Sequence, residues 1–433
     1  MGVRVVKWSA GQRSRVIDAF FARPAFSEDA EDTARRVLEE IRRDGNKAVS
    51  RFAQEFDGVK LRAADFAVKK ESLAAAREDV PREFRAAIRE SHRRIVEFAR
   101  AGRKQDWRMS SPRGGVLGEQ FVPFDRVGVY VPGGAAPLVS TALMTATLAK
   151  VAGVPDIVAC SPTGLDGKVD PMTLYALEIA GATEIYRLGG IQAIGLMAYG
   201  TRTIRPVQKI VGPGGTYVTA AKRQVYGHVA LDLVAGPSEI AILADDTAKA
   251  RHVAADLLSQ AERGTGWEKA LLVTTSAQLA ADVEQELETQ SAALSRRDAV
   301  RVVMNKGMLI VVVGTLDEGM DLCNRFAPEH FEIMVREPKN WLKKVRSAGA
   351  VFVGSWSPEA VGDFVAGPSH VLPTGGAAAR FSGLTVDDFL RRTSYIAFTR
   401  ADLKDVVPVV EAFGRMEGLD AHARSASIRF EPS

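Results

Sequence analysis

Glu329 and His330 stand side by side in the run APEHFEIMV, between a helix predicted to end near Phe326 and a strand predicted to start near Phe331. A carboxyl and an imidazole at such a junction can hold pKa values on either side of neutrality, which suits stepwise proton transfer. The same dipeptide also fits a salt-bridged surface pair. A second candidate is VGDFVAGPSHVLPTGG, residues 361 to 376, which puts Asp363 and His370 in a loop rich in glycine and proline. Those residues fix irregular backbone, and short polar side chains held on it are typical of a built site. Asp363 could ligate a metal, orient another group, or staple the loop. A third candidate, GPGGTYV at 212 to 218, opens a helix directly after a strand and so aims backbone N–H groups at an anion such as a cofactor phosphate. It is neither a GxGxxG nor a P-loop pattern. His92 and His252 lie in helical patterns among charged neighbours and read as solvated, and His228 sits at a helix end where capping is the simpler role.

The elements that must position these residues fall into distinct textures. Ala34, Val37, Leu38 and Ile41 follow the spacing of one buried helix face before Gly45, and Val49, Phe52, Ala53 and Phe56 repeat it before Gly58. A third helix starts at Pro81 and is predicted to turn Phe84, Ile88, Ile95 and Phe98 inward. From residue 127 short β-rich runs alternate with helical patterns, as in βαβ units. VGVYV (127–131), DIVAC (156–160), EIYRL (184–188) and QKIV (208–211) make one α/β lobe. EIAILA (239–244), ALLVTT (270–275), MLIVVV (308–313), FEIMV (331–335) and AVFVG (350–354) make a second. A ligand is then expected where the C-terminal strand ends of both lobes face one cleft. The segment from Thr385 reads as a helical tail ending in an extended SIRFEP, of a shape that reaches a partner subunit or packs on its own chain.

With 433 residues, 46% hydrophobic and 25% charged, the chain is expected to fold as two large lobes with smaller appendages. The net charge of +4 comes from scattered basic residues and does not point to nucleic acid. No apolar run is long enough to span a bilayer, and the stretch MGVRVVKWSAGQRSR carries charges where a secretory signal would be apolar, so a cytoplasmic location is expected. Two cysteines, Cys160 and Cys323, cannot form a disulfide framework or a thiolate metal site by themselves.

VGVYVPGG, LGGIQAIGLMAYGT, KIVGPGG, LDLVAGPSE, LLSQAE, NRFAPEH, GDFVAGPSHVLPT and EGLDAH occur here in the order found in the histidinol dehydrogenase family, which the chain resembles from about residue 20 onward. The resemblance implies an α/β fold of two incomplete Rossmann-like lobes with small helical N-terminal and C-terminal domains. It divides the chain into an arm (1–25), a helical segment packing on lobe 1 (26–126), lobe 2 on the cofactor side (127–235), lobe 1 on the catalytic side (236–384) and a tail domain (385–433). It also implies an intertwined homodimer whose tail completes the partner's site, and oxidation of an alcohol through an aldehyde to a carboxylate with two NAD, L-histidinol to L-histidine being the named reaction. By position, His330 would take the hydroxyl proton and Glu329 would activate water. Tyr130, Gln192 and Gly215 match cofactor-side positions, and Ser238, Asp363, Phe364, His370 and Glu417 match substrate-side ones.

The family's zinc ligands map onto Gln260, Arg263, Asp363 and His422, so the motif reads QAER where the family has histidine. Arginine has no lone pair to offer and carries a full charge, which leaves Gln260, Asp363 and His422 as the metal set. Gly215 replaces an asparagine and Phe364 a tyrosine. Arg263 therefore admits two readings: other groups make good the lost ligand and histidinol remains the substrate, or the chain is a paralogue acting on another alcohol, with the guanidinium pairing an anionic group. Two further classes are a non-catalytic two-lobed binding protein, which the Glu329–His330 pair opposes, and a zinc hydrolase, for which no HExxH motif exists.

Overall fold

The computed structural model describes residues 3–23, 26–133, 137–234, 236–263 and 266–432, so the boundaries expected at 25 and 235 fall on residues outside that description. In chain order, β1 (Arg4–Lys7) and α1 (Arg15–Phe21) are followed by α2 (Glu28–Asp44), α3 (Asn46–Asp57), α4 (Lys70–Asp79) and α5 (Arg82–Gly102), then β2 (Trp107–Ser110) and β3 (Val116–Pro123). The first lobe runs through β4 (Arg126–Tyr130), α6 (Val139–Ala152), β5 (Asp156–Cys160), α7 (Pro171–Ala180), β6 (Glu184–Tyr186), α8 (Gly190–Tyr199), β7 (Lys209–Val211), α9 (Thr216–Val225) and β8 (Ala230–Leu231). Its strands form one parallel sheet in the order β6-β5-β4-β7-β8.

The second lobe comprises β9 (Glu239–Ala244), α10 (Ala250–Ala261), β10 (Lys269–Thr274), α11 (Ala277–Ser291), α12 (Arg297–Lys306), β11 (Met308–Val312), α13 (Leu316–Phe326), β12 (His330–Met334), β13 (Ala350–Val353) and α14 (Glu359–Phe364). Its sheet, also parallel, runs β1-β11-β10-β9-β12-β13, with the chain's first strand forming one edge. Each sheet is apolar on both faces and covered by helices on both, as parallel sheets require. The tail holds β14 (Leu390–Ala397), α15 (Arg400–Glu417) and α16 (Asp420–Ser427). The α/β class and two parallel-sheet lobes agree with the expectation from sequence.

Several details differ from it. The helices of residues 26–102 pack on the 127–235 lobe and not on lobe 1: Ala34, Val37, Leu38 and Ile41 of α2 share a core with α8 and α9, while Ile88, Ile95 and Ala99 of α5 share one with α6 and α7. The reason is local. α6 and α8 are buried almost all round, so each needs an outer helix to cover the side turned from the sheet. The segment is also not all helix, since β2 and β3 pair before residue 126. In α5 the buried stripe is Ile88, Ser91, Ile95 and Ala99, which leaves Phe84 and Phe98 exposed. The tail opens with a 3-10 turn, Val386–Phe389, and then a strand, β14, antiparallel to β3 across its whole length; Asp402, the third residue of α15, gathers bonds from Ser111, Arg113 and Gly115 and ties the two regions together. The SIRFEP stretch is not extended: Ser427 closes α16 and Ile428–Phe430 makes one 3-10 turn.

Candidate active site

The Glu329–His330 pair is placed by the end of α13. A capping box between Thr315 and Glu318 starts that helix, and Ala327, at φ 50°, stops it. Ala327 is the one non-glycine residue with positive φ among the described residues, a conformation that costs an L residue about 1 kcal/mol. Pro328 follows, and His330 enters β12 as its first residue. The site therefore lies at the N-terminal edge of the second sheet. This overturns the expectation of strand C-terminal ends on both lobes: helices run antiparallel to the strands, so the C-terminal end of α10, carrying Gln260 and followed by Arg263, arrives at that edge too. Asp363 is likewise not on a loop. It lies on α14, four residues after Glu359, so both carboxylates share a helix face.

His330 is 1% exposed, which excludes the surface salt-bridge reading. Its Nδ1 lies 3.3 Å from Glu359 Oε1 and 3.8 Å from Glu329 Oε2, and its Nε2 lies 3.7 Å from Asp363 Oδ1. None of these contacts is aligned as a hydrogen bond, so both ring nitrogens are buried and unbonded. That is the state of a base waiting for a proton donor. Glu329 is also buried; its Oε2 accepts the Glu239 backbone N–H at 3.2 Å. Burial pushes its carboxyl up, and His330 and Arg263 oppose that rise. Behind it, Glu239 is held by Arg23 from the arm and by the Gly376 N–H at 3.0 Å.

Glu359 is the residue that sequence reasoning missed. Its Oε1 accepts from Arg263 Nη2 at 2.6 Å, its Oε2 from Ser259 Oγ at 2.8 Å, and its own N–H donates to Glu332 Oε1 at 2.8 Å. Burial alone would raise the Glu359 carboxyl; His330, Arg263 and Ser259 outweigh it and hold the group below its ordinary value. Burial and the nearby Asp256 push Glu332 the other way, well above the usual range. The spacing Glu359–Asp363 was the signal that could have found Glu359. Arg263 Nη2 also donates to Asp363 Oδ2 at 2.5 Å, and the carboxylates of Glu359, Asp363 and Glu329 hold its guanidinium charged against the opposing effect of burial.

The second lobe's site faces α6 of the first lobe. His370 Nε2 lies 3.2 Å from Thr141 Oγ1, its Nδ1 3.9 Å from Asp363 Oδ1, and Ser369 Oγ donates to the Met144 carbonyl. Burial drives the His370 pKa down to about 4, so the ring is neutral at pH 7 despite Asp363. Ser238 hydrogen-bonds Glu329 in the turn that leads into β9. Phe364 is exposed, with its carbonyl accepting from Ser91 Oγ at 2.6 Å. Gln260 is buried and both of its amide atoms lack a partner.

Among the residues that the resemblance assigns to the cofactor, Tyr130 ends β4, buried, with its hydroxyl accepting the Gly190 N–H at 3.1 Å; burial pushes its pKa up to about 12. Gln192, two residues on in α8, donates from Nε2 to Asp57 at 2.7 Å and leaves Oε1 buried and unbonded. Gly212 sits at φ 116°, and a Cβ there would lie 2.2 Å from the Tyr130 carbonyl, so only glycine lets the β7–α9 turn cross the end of β4. Gly215 caps α9, and the space a side chain would occupy is open. The helix start, the bare backbone and the orphaned Gln192 oxygen fit a nucleotide phosphate and amide. Glu417 and His422 are not brought to the site: both are exposed on the tail.

The histidinol dehydrogenase family model matches residues 22–430. The chain is 45% identical to the curated histidinol dehydrogenase of Moorella thermoacetica over 92% of this chain and 93% of that one. It is 44% identical to the histidinol dehydrogenase of Geobacillus kaustophilus, over 91% and 92%. The chain belongs to the histidinol dehydrogenase family. The crystal structure of histidinol dehydrogenase from Elizabethkingia anophelis superposes with a TM-score of 0.93 at 33% identity, covering 99% of this chain and 98% of that one. Within this family member, His330, Glu359 and Asp363 present ligand atoms within 4.8 Å of one another, close enough to share a metal ion. No helix among the described residues is long and apolar enough to cross a membrane.

Proposed function

We propose that this chain is an NAD-dependent dehydrogenase that oxidises L-histidinol, through the aldehyde, to L-histidine in one cleft. The observation that carries this reading is His330, a buried imidazole with both nitrogens free of hydrogen bonds and a carboxylate 3.3 Å from Nδ1, in a chain of this family. Glu359 beside Nδ1 favours the tautomer that leaves the Nε2 lone pair free, and stabilises the imidazolium once Nε2 takes the hydroxyl proton. NAD would be held near Tyr130, Gln192 and Gly215 and would supply the hydride acceptor there, a fresh NAD being needed for each of the two oxidations. Glu329, whose carboxyl burial raises above its ordinary value, takes a proton from the water that adds to the aldehyde. Because the adduct again presents a hydroxyl, one base serves both oxidations. Lobe 127–235 holds the cofactor in this reading and lobe 236–384 the chemistry. A non-catalytic binding role gives no account of so costly a buried cluster of carboxylates and imidazoles.

The charge balance favours an amino alcohol over the anionic alcohol that a free arginine would attract. Arg263 already donates to two carboxylates, and Glu329 stands close by, so the cleft carries more acidic than basic groups. A substrate ammonium suits that field. Zinc, which the family resemblance implies, does not fit the residues present. Gln260 has a free buried amide, but Arg263 stands at the second ligand position with its guanidinium on Asp363. The expected result is NADH formation on adding L-histidinol and NAD, two per substrate consumed; a protein that binds NAD and produces none would refute the assignment.

The site is completed across a homodimer in this reading, in the cytoplasm. Ile396, Val409, Phe413, Met416 and Ile428 are exposed apolar side chains of the tail, which also exposes Glu417 and His422. Such a surface calls for a partner. Co-expressing His330→Asn with Glu417→Gln chains should restore turnover that neither variant has alone, since one mixed site regains both groups. No recovery in a proven mixed dimer, or a monomer in sedimentation, would disprove the shared site.

A further inference from the structure

We propose that the resident cation of this site is the Arg263 guanidinium and that the enzyme works without a bound divalent metal. The proposal rests on the reading above that these residues form the active site. Arg263 Nη2 bridges Glu359 Oε1 at 2.6 Å and Asp363 Oδ2 at 2.5 Å. Those two carboxylates, with His330, are the same three groups whose ligand atoms converge within 4.8 Å. A divalent ion on them would sit about 2 Å from each ligand oxygen, next to a side chain that neither ligates nor gives up its proton. It would have to displace both charge-assisted bonds and then remain beside the displaced charge.

Two features show that the arginine is built in. Arg263 lies just past the C-terminal end of α10, where the free carbonyl ends favour a positive charge. Ser259, one turn earlier, holds the second oxygen of Glu359, which fixes that carboxylate with its other oxygen turned to Arg263. The guanidinium thus does structurally what a metal would do: it draws Asp363 and Glu359 together on either side of His330. It differs in being covalently attached and unable to polarise a substrate by direct coordination.

The test is the metal content of the purified full-length protein, with turnover measured before and after a strong chelator. We expect less than about one-tenth of a zinc per chain and no loss of NADH formation on chelation. Arg263→His supplies an imidazole on the same helix end and should take up about one zinc per chain, with turnover becoming chelator-sensitive. Stoichiometric zinc in the wild-type protein, chelator inactivation reversed by zinc, or an Arg263→His protein that gains no metal would each overturn the proposal. Metal content is read without substrate, so a failure of L-histidinol to react would strike the functional reading and leave this one standing.

Discussion

Replacing His330 with asparagine should lower kcat by about 10³-fold or more while leaving NAD affinity within a few-fold of wild type, since a positioned general base contributes about 10²–10⁴-fold and His330 is asked to act in both oxidations. Asparagine keeps a polar group near Glu359, so the buried carboxylates are not left facing a cavity. NAD titration by fluorescence and NADH formation from L-histidinol separate the two effects. Because the base is shared, the loss should be of similar size whether the alcohol or the aldehyde is supplied. A variant that keeps more than about a tenth of its kcat would remove His330 from the proton-transfer role.

Glu329→Gln should divide the two half-reactions. The aldehyde step needs a base for the added water, and its rate should fall by about 10²-fold or more, whereas alcohol oxidation should change only a few-fold. The amide keeps an acceptor for the Glu239 N–H, so the entry to β9 is preserved. Feeding the aldehyde directly, and counting NADH formed per alcohol consumed, distinguishes the steps; equal losses in both would sink the division of labour. The wild-type pH profile gives a second check. Burial raises the Glu329 carboxyl, so falling pH protonates it earlier than an exposed glutamate. Aldehyde oxidation should therefore decline at a higher pH than the ordinary glutamate range, and that limb should vanish in the variant. A limb at the ordinary glutamate position would argue against Glu329 as the group that titrates.

The sequence made the two lobes legible because each strand is a short β-rich run and each helix has a local period. β9, for instance, spans the same six residues, Glu239–Ala244, as the predicted run. Glu329 and His330 stood out because the helix ending at Phe326 and the strand beginning at His330 are both local events. What could not be read were the pairings across long separations. Nothing local to Leu390–Ala397 announces that its partner is Val116–Pro123. The six-residue helix carrying Asp363 is too short for a hydrophobic period, so its Gly and Pro neighbours suggested a loop. The type of residue at 263 was plain and left two readings open, because the two carboxylates that engage it lie about a hundred residues further along the chain. Glu359, the carboxylate nearest His330 Nδ1, was missed although its four-residue spacing from Asp363 was there to be read.

The first strand of the chain also governs the order in which the protein can be finished. β1 lies against β11 with Arg4 opposite Leu309, so this strand is synthesised some three hundred residues before the strand it pairs with among the described residues. The 127–235 lobe is contiguous and can collapse on its own helices as it emerges, while the arm waits, its closure opposed by the entropy of a long loop. Arg23, at the end of that arm, reaches Glu239 directly behind Glu329. Docking of this early segment is thus among the last events of folding, and through Arg23 it braces Glu239 behind Glu329, so a nascent chain would hold its 127–235 lobe formed before that carboxylate network is set.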